Sequence, residues 1–137
     1  MVARGSLPFL LFLLVLGLSS APAVLAEAEQ PTFVVVDPDG IYFGSGKHPK
    51  SPGVMSADEV WAEIPEYRRI IDEDLTEDDP VYHLLMKRAT ERFQKALKRL
   101  AKRDGYDMLG EVGAIEAKGD AEIPEVTRDM IDLVTRD

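Results

Sequence analysis

The chain has 137 residues, with 25 acidic and 16 basic side chains, so its formal charge at pH 7 is −9. This acidity disfavours proteins that bind nucleic acid or anionic membranes through a general positive field. Cysteine is absent, which excludes disulfides and thiolate metal ligands, and the length is that of one domain.

The N-terminal segment has the composition of a secretory signal peptide. Arg4 precedes the apolar run Leu7–Leu18, which is shorter than the about 20 residues of a membrane span. Small residues follow, and Val24-Leu25-Ala26 is the preferred cleavage site, with Ala26-Glu27-Ala28 as the second choice. We therefore expect export, removal of residues 1–26 and no stable membrane insertion of the remaining chain.

A strand and a turn are predicted where the domain begins. Thr32–Val36 is β-branched and typical of a buried strand, and Asp37-Pro38-Asp39-Gly40 is a turn sequence. Ile41-Tyr42-Phe43 either extends the sheet or covers it. The glycine- and proline-rich stretch Gly44–Gly53 is predicted to be a mobile loop.

The first helical segment is predicted from Ser56 to about Leu75. Ser56 and Glu59 have the spacing of a capping box, and apolar residues then recur at helical spacing. Pro65 interrupts this pattern, so it either kinks the helix or begins a second one. Thr76–Asp79 is an acidic connector.

The second helical segment is predicted over Pro80–Asp104. Asp79 and Pro80 form a start signal, basic residues fill the last turn, and Gly105 supplies a left-handed residue after the helix. Its apolar stripe consists of Val81, Leu85, Ala89, Phe93, Leu97 and Leu100.

The two helical segments carry opposite charge. Residues 58–79 include 10 acidic and 2 basic side chains, whereas residues 80–104 include 8 basic and 2 acidic ones. A short connector makes them antiparallel neighbours, and we expect apolar stripes to hold the hairpin together while the charges select its register.

Two short strands, near Met108 and Ile115, and a closing helix capped by Thr127 complete the chain. The predicted fold class is α+β: an antiparallel helical hairpin, about residues 56–104, projects from a small β-body with a short C-terminal helix. The β-body comprises residues 32–43 and 106–137, and residues 27–137 form a single domain.

No catalytic residue, metal site or cofactor is predicted. Asp37-x-Asp39-Gly40 is similar to the first motif of haloacid-dehalogenase phosphatases, but the partner residues of that chemistry are missing. Gly44-Ser45-Gly46-Lys47 lacks the Walker spacing, and the two histidines, His48 and His83, do not form a zinc pattern.

Several segments together resemble the OmpH/Skp family of periplasmic chaperones. Leu100–Leu109 resembles the family's junction of helix, Gly-Tyr-Asp and apolar strand, and Val112–Ile115 is similar to its second strand. Glu125–Ile131 resembles the start of the closing helix. Phe33–Asp37 is similar to the first strand, and Pro65–Arg69 to the entry into the first long helix.

The resemblance implies a periplasmic homotrimer in which a shared β-body carries coiled-coil arms around a cavity. Family members hold unfolded outer-membrane proteins in that cavity without ATP. In this chain the hairpin is shorter, the charge is acidic, and the loop at Gly44–Gly53 is an insertion. A non-enzymatic periplasmic scaffold or assembly subunit of the same fold is the alternative, and a haloacid-dehalogenase-like phosphatase is a remote one.

The candidate client-binding residues lie on the apolar stripes of the two helical segments. The same spacing is typical of a hairpin's own core, so both interpretations remain open. The candidates are Tyr67, Ile71, Val81, Leu85 and Phe93.

Overall fold

The computed structural model describes residues 31–136, and the predicted signal peptide lies outside this range. The described chain has an α+β fold. In chain order its elements are β1 (Thr32–Val35), β2 (Ile41–Phe43), β3 (Pro52–Met55), α1 (Ala57–Glu63), α2 (Pro65–Asp72), α3 (Pro80–Asp104), β4 (Met108–Glu111), β5 (Ile115–Lys118) and α4 (Thr127–Thr135). No helix between residues 31 and 136 is both long and apolar enough to cross a membrane.

The strands form two small sheets. In one, β1 pairs antiparallel with β5, with Thr32 opposite Lys118. In the other, β4 is central, with β2 antiparallel on one side and β3 parallel on the other. Ile41–Phe43 therefore joins a different sheet from β1. Because β1 and β5 are far apart in sequence, their pairing joins the start of the described chain to a segment near residue 115.

β3 lies partly within the segment predicted to be a loop, which is a correction to the predicted β-body. All four of its residues are buried. It begins with Pro52 and Gly53, two residue types that are depleted in strands, so propensity did not predict it. The edge away from β4 is also hydrogen-bonded, because Val54 N–H donates to Pro124 and Val126 N–H donates to the Val54 carbonyl.

The loop before β3 is anchored to the chain that enters β4. The Asp107 carboxylate accepts the backbone N–H groups of Lys50 at 2.7 Å and Ser51 at 3.0 Å. Two charge-assisted hydrogen bonds of this kind restrain a backbone more strongly than neutral ones. The C-terminal part of the predicted mobile loop is therefore held in place.

Pro65 begins a new helix. α1 ends at Glu63, and α2 starts with Pro65 at its first position, where the missing N–H needs no partner. The predicted capping box does not form, because the Ser56 side chain makes no capping hydrogen bond. Instead, Glu111 on β4 accepts the Ala57 N–H at 3.0 Å. A distant carboxylate thus caps α1.

Thr127 is the first residue of α4, not its cap as predicted, because Val126 occupies the cap position. Its hydroxyl oxygen accepts the Ser56 N–H at 3.0 Å and donates to the Glu125 carboxylate at 3.2 Å. The threonine side chain therefore connects the start of α4 to the start of α1. Nonlocal partners have replaced the local cap that the sequence favours.

α3 has the predicted bounds, and Gly105 follows it in the left-handed region with φ 75°. The face that α3 buries consists of Leu85, Ala89, Phe93, Ala96, Leu97, Leu100 and Ala101. The main core joins this face to α1, α4 and the three-stranded sheet through side chains such as Met55, Ile64, Leu109 and Met130. Helix α3 is thus the element shared by the core.

α2 and α3 form the antiparallel hairpin. Glu66, in the first turn of α2, pairs with Arg92, in the middle of α3, through two hydrogen bonds of 2.8 and 3.0 Å. Arg92 also reaches the carbonyl oxygen of Val134 on α4. α1 packs against α4, so it belongs to the body, and the projecting hairpin is shorter than predicted.

Opposite charges do not hold the hairpin together along its length. Among the described ion pairs, Arg92 with Glu66 is the one that joins α3 to α2. Arg103 pairs with Asp104 of its own helix and Asp129 of α4. The expectation that charge selects the register is therefore met at one position only, and apolar packing accounts for the remainder.

Two leucines on α3 test this account of the core. Leu100 is fully buried, whereas Leu84 is 48% exposed. We expect Leu100→Ala to lower the free energy of unfolding by about 2–5 kcal/mol, because it leaves a cavity. The matched variant Leu84→Ala should change it by about 0.5 kcal/mol or less. Urea unfolding measures both, and equal losses would contradict the packing described here.

Candidate functional site

The structure does not bring the five predicted client-binding residues to one surface. Leu85 and Phe93 are buried in the chain's own core, so they are not available on the folded chain. Tyr67 is half-buried, while Ile71 and Val81 are exposed. The apolar stripes therefore serve mainly as the hairpin's core, and only their ends near the connector reach solvent.

Tyr67 and Phe93 belong to an aromatic cluster centred on the single tryptophan. Trp61 stacks on Phe93 with ring centroids 5.3 Å apart, and Tyr67 meets Trp61 edge-to-face at 5.6 Å. Tyr42 packs edge-to-face on the Phe93 ring at 5.8 Å. These contacts join β2, α1, α2 and α3. Tyr67 and Phe93 therefore have a structural role in the core.

Exposed apolar side chains concentrate at the free end of the hairpin, which we name the hairpin tip (residues 70–84). Ile71 is 58% exposed, Val81 41% and Leu84 48%. Ile71 lies in the last turn of α2, and Val81 and Leu84 lie one helical turn apart at the start of α3. Leu84 was outside the predicted stripe, and its i,i+3 spacing from Val81 was the signal that could have identified it.

The hairpin tip is an ordered structure in which α2 ends in a Schellman motif. Leu75 N–H donates to the Ile70 carbonyl, and Asp74 N–H donates to the Ile71 carbonyl. Asp74 occupies the left-handed position with φ 48°, where glycine is the usual residue. The backbone that presents Ile71 is therefore fixed by hydrogen bonds.

The connector is closed by reciprocal hydrogen bonds. Thr76 N–H donates to the Asp79 carboxylate, and Asp79 N–H donates to the Thr76 carbonyl, both at 2.9 Å. The Asp79 side chain thus points back to the connector and does not cap α3, contrary to expectation. His83 Nε2 lies 2.7 Å from the Glu77 carbonyl oxygen, which fixes the connector to the first turn of α3.

The tip is strongly acidic as well as apolar. Three acidic residues lie at the C-terminal end of α2, where the negative end of the helix dipole repels their charge. No group of three or more His, Cys, Asp or Glu in residues 31–136 is arranged to hold a metal ion. The acids of the tip are Asp72, Glu73, Asp74, Glu77, Asp78 and Asp79.

The motif that resembles a phosphatase is part of a tight turn. The Asp37 carboxylate accepts the Asp39 N–H at 3.2 Å, and residues 38–40 form a single 3₁₀ turn. The nearby loop is tied to β1, since the Lys47 carbonyl accepts the Val35 N–H. Asp37–Gly40 and the loop Gly44–Lys47 are therefore explained by the backbone hydrogen bonds that they form.

Tyr42 and Glu111 form a hydrogen-bonded pair at the junction of β2, β4 and α1. The Tyr42 hydroxyl donates to Glu111 Oε2 at 2.8 Å, and the same oxygen caps α1. Burial, then the hydrogen bond and charge of Glu111, raises the pKa of Tyr42 to about 12; the charges of Asp58 and Asp37 add to this. The phenol therefore stays neutral and serves as a donor.

No known protein family, curated protein or solved structure matches this chain. The similarity to the OmpH/Skp family accordingly rests on the short sequence segments alone.

The Tyr42 pair predicts a specific alkaline loss of stability. Its folded pKa lies above the ordinary value of 10.0, so its contribution is complete below pH 10 and is lost as pH rises through about 12. We expect Tyr42→Phe to lose less stability than the wild type over that interval. Urea unfolding at several pH values measures the difference, and identical pH dependence in both proteins would contradict it.

The Schellman motif predicts a stabilising substitution. Asp74→Gly removes an L-residue from the left-handed region and should raise the free energy of unfolding by about 0.5–1 kcal/mol. Asp78→Gly is the matched control, because it removes the same charge from the connector at a position without positive φ. It should lower stability, and a gain of equal size in both variants would show that charge, not backbone conformation, is responsible.

Proposed function

We propose that the protein is an exported, ATP-independent chaperone-like protein that binds non-native polypeptides through the hairpin tip. The observation that carries the proposal is the exposure of three large apolar side chains on one ordered tip. They lie on the two helix ends that the connector joins, and a concentration of exposed apolar groups is typical of interaction surfaces. The resemblance to OmpH/Skp chaperones supports the same class of client, unfolded outer-membrane proteins in the periplasm.

The chemistry of the tip favours polypeptide segments that combine apolar and basic residues. Ile71, Val81 and Leu84 supply the apolar contact, and each side chain of this size contributes about 1.5–3 kcal/mol when fully buried. The surrounding carboxylates attract cationic side chains and speed encounter. Because the tip is small, its contact with one client segment is weak. The tip therefore dissociates quickly and rebinds at other segments of the unfolded chain.

The dimensions of the hairpin limit what it can enclose. α2 has eight residues and is about 12 Å long, which corresponds to a short segment of client. A single hairpin therefore contacts a client and does not surround it. We propose that association of several copies, as in the trimer implied by the resemblance, supplies any cavity.

A scaffold or assembly subunit of the same fold is the second candidate. The observation that favours it is the burial of Leu85 and Phe93, which leaves fewer exposed apolar side chains for an extended client than the sequence predicts. Capture from a periplasmic extract distinguishes the two functions. A single folded, stoichiometric partner supports the scaffold, whereas many unfolded ones support the chaperone.

Serine substitutions at the tip test the chaperone proposal. We expect Ile71→Ser/Val81→Ser/Leu84→Ser to lose at least half of the ability of the wild type to keep an unfolded outer-membrane protein soluble. The stability should fall by only about 0.5 kcal/mol per site, because the side chains are exposed. Light scattering of the diluted client, with no ATP present, measures the effect.

Val112→Ser is the control, since Val112 is an apolar residue 54% exposed on the turn between β4 and β5, away from the tip. It should hold the client as well as the wild type does. The proposal fails if the wild type has no holding activity, or if the control loses as much activity as the tip variant.

A further inference from the structure

One face of α3 carries cations that the folded chain leaves unpaired. All are exposed, and none forms an ion pair with another described residue. This basic face consists of Lys87, Arg88, Lys95, Lys98, Arg99 and Lys102.

The second half of the basic face forms a shallow groove. Lys95, Lys98, Arg99 and Lys102 line a concavity of about 330 Å³ together with Glu91 and Gln94. Their i, i+3, i+4 and i+7 spacing places like charges next to each other along the helix, which is locally unfavourable, and Glu91, one turn before Lys95, offsets only part of this charge. An anionic partner seated in the groove would relieve this repulsion.

The same chain carries a segment of complementary charge. The acidic segment, residues 72–79, has six carboxylates in eight positions. Three of them lie at the wrong end of the α2 dipole, and Asp74 occupies a backbone conformation that favours glycine. Asp79 closes the connector and Glu73 pairs with Arg69 at 2.8 Å, but Asp72, Asp74, Glu77 and Asp78 form no described ion pair within the chain.

The acidic segment and the groove cannot meet within one molecule. The segment leads directly into α3, and Lys95 lies about 22 Å along the helix from Pro80. Attraction over that distance is screened, because the Debye length is about 8 Å at physiological ionic strength. The two surfaces can pair only when a second molecule supplies one of them.

We propose that the acidic segment of one copy docks on the basic face of α3 in a second copy. An antiparallel arrangement of the two hairpins makes the contact reciprocal, since each copy then supplies one acidic segment and one groove. Reciprocal contacts of this kind relate two copies by a two-fold axis, and they leave the β-sheets free for the trimer proposed above. The contact is predominantly electrostatic, so added salt weakens it.

Charge reversal with complementation tests the interface. The basic-face variant is Lys95→Glu/Lys98→Glu, and the acidic-segment variant is Glu77→Lys/Asp78→Lys; these four side chains are exposed and make no described ion pair. We expect sedimentation velocity of the mature protein at low salt to give each variant a dissociation constant for self-association that is at least about tenfold higher than that of the wild type. An equimolar mixture of the two variants should regain association, because reversed surfaces then face each other.

Asp120→Lys/Glu122→Lys is the matched control, because it makes the same change of charge on exposed residues in the segment before α4. It should associate at least as well as the wild type. The proposal is overturned if the wild type remains monomeric at about 20 mM salt, where screening is weak. It is also overturned if the variants associate like the wild type, or if mixing them restores nothing. If the tip variant stops holding the client but still associates like the wild type, the result bears on the proposed chaperone function and not on the interface between copies.

Discussion

Burial of the apolar face of α3 is the interaction on which the other elements depend. The helix is 25 residues long, and α1, α4 and the three-stranded sheet share the core formed on its C-terminal half. The main core reaches along α3 as far as Ala89, and in the turns before it Val81 and Leu84 are partly exposed. This division explains why the body is well packed while the tip exposes apolar side chains. Helix α3 thus contributes most of its buried face to the core and also carries two of the three exposed residues of the candidate site.

The elements that local chemistry determines could be predicted from sequence. Pro80 and Gly105 bound α3 because each residue has a backbone preference that needs no distant partner. The α+β class followed from the same kind of signal. β3 could not be predicted, because Pro52 and Gly53 acquire their strand pairing from β4, and Val54 also pairs with residue 125; both partners are distant in sequence.

The candidate site could be predicted only in part, and the reason is again nonlocal. Periodicity identifies a stripe but not how far a second helix covers it, so Leu85 and Val81 were equivalent in sequence and differ in the structure. The caps show the same competition: Ser56 has suitable local chemistry, yet Glu111 caps α1. Charge was the least reliable guide, because opposite net charges on α2 and α3 require specific side chains to meet, and most do not.

We propose that polypeptides bind at the hairpin tip. Nuclear magnetic resonance of the mature protein, titrated with an unfolded outer-membrane polypeptide, locates the contact directly through changes in methyl signals. We expect the signals of Ile71, Val81 and Leu84 to shift or broaden first, while those of Val112 and the buried Met130 stay unchanged. Changes confined to the β-sheets, or spread evenly over the molecule, would contradict it.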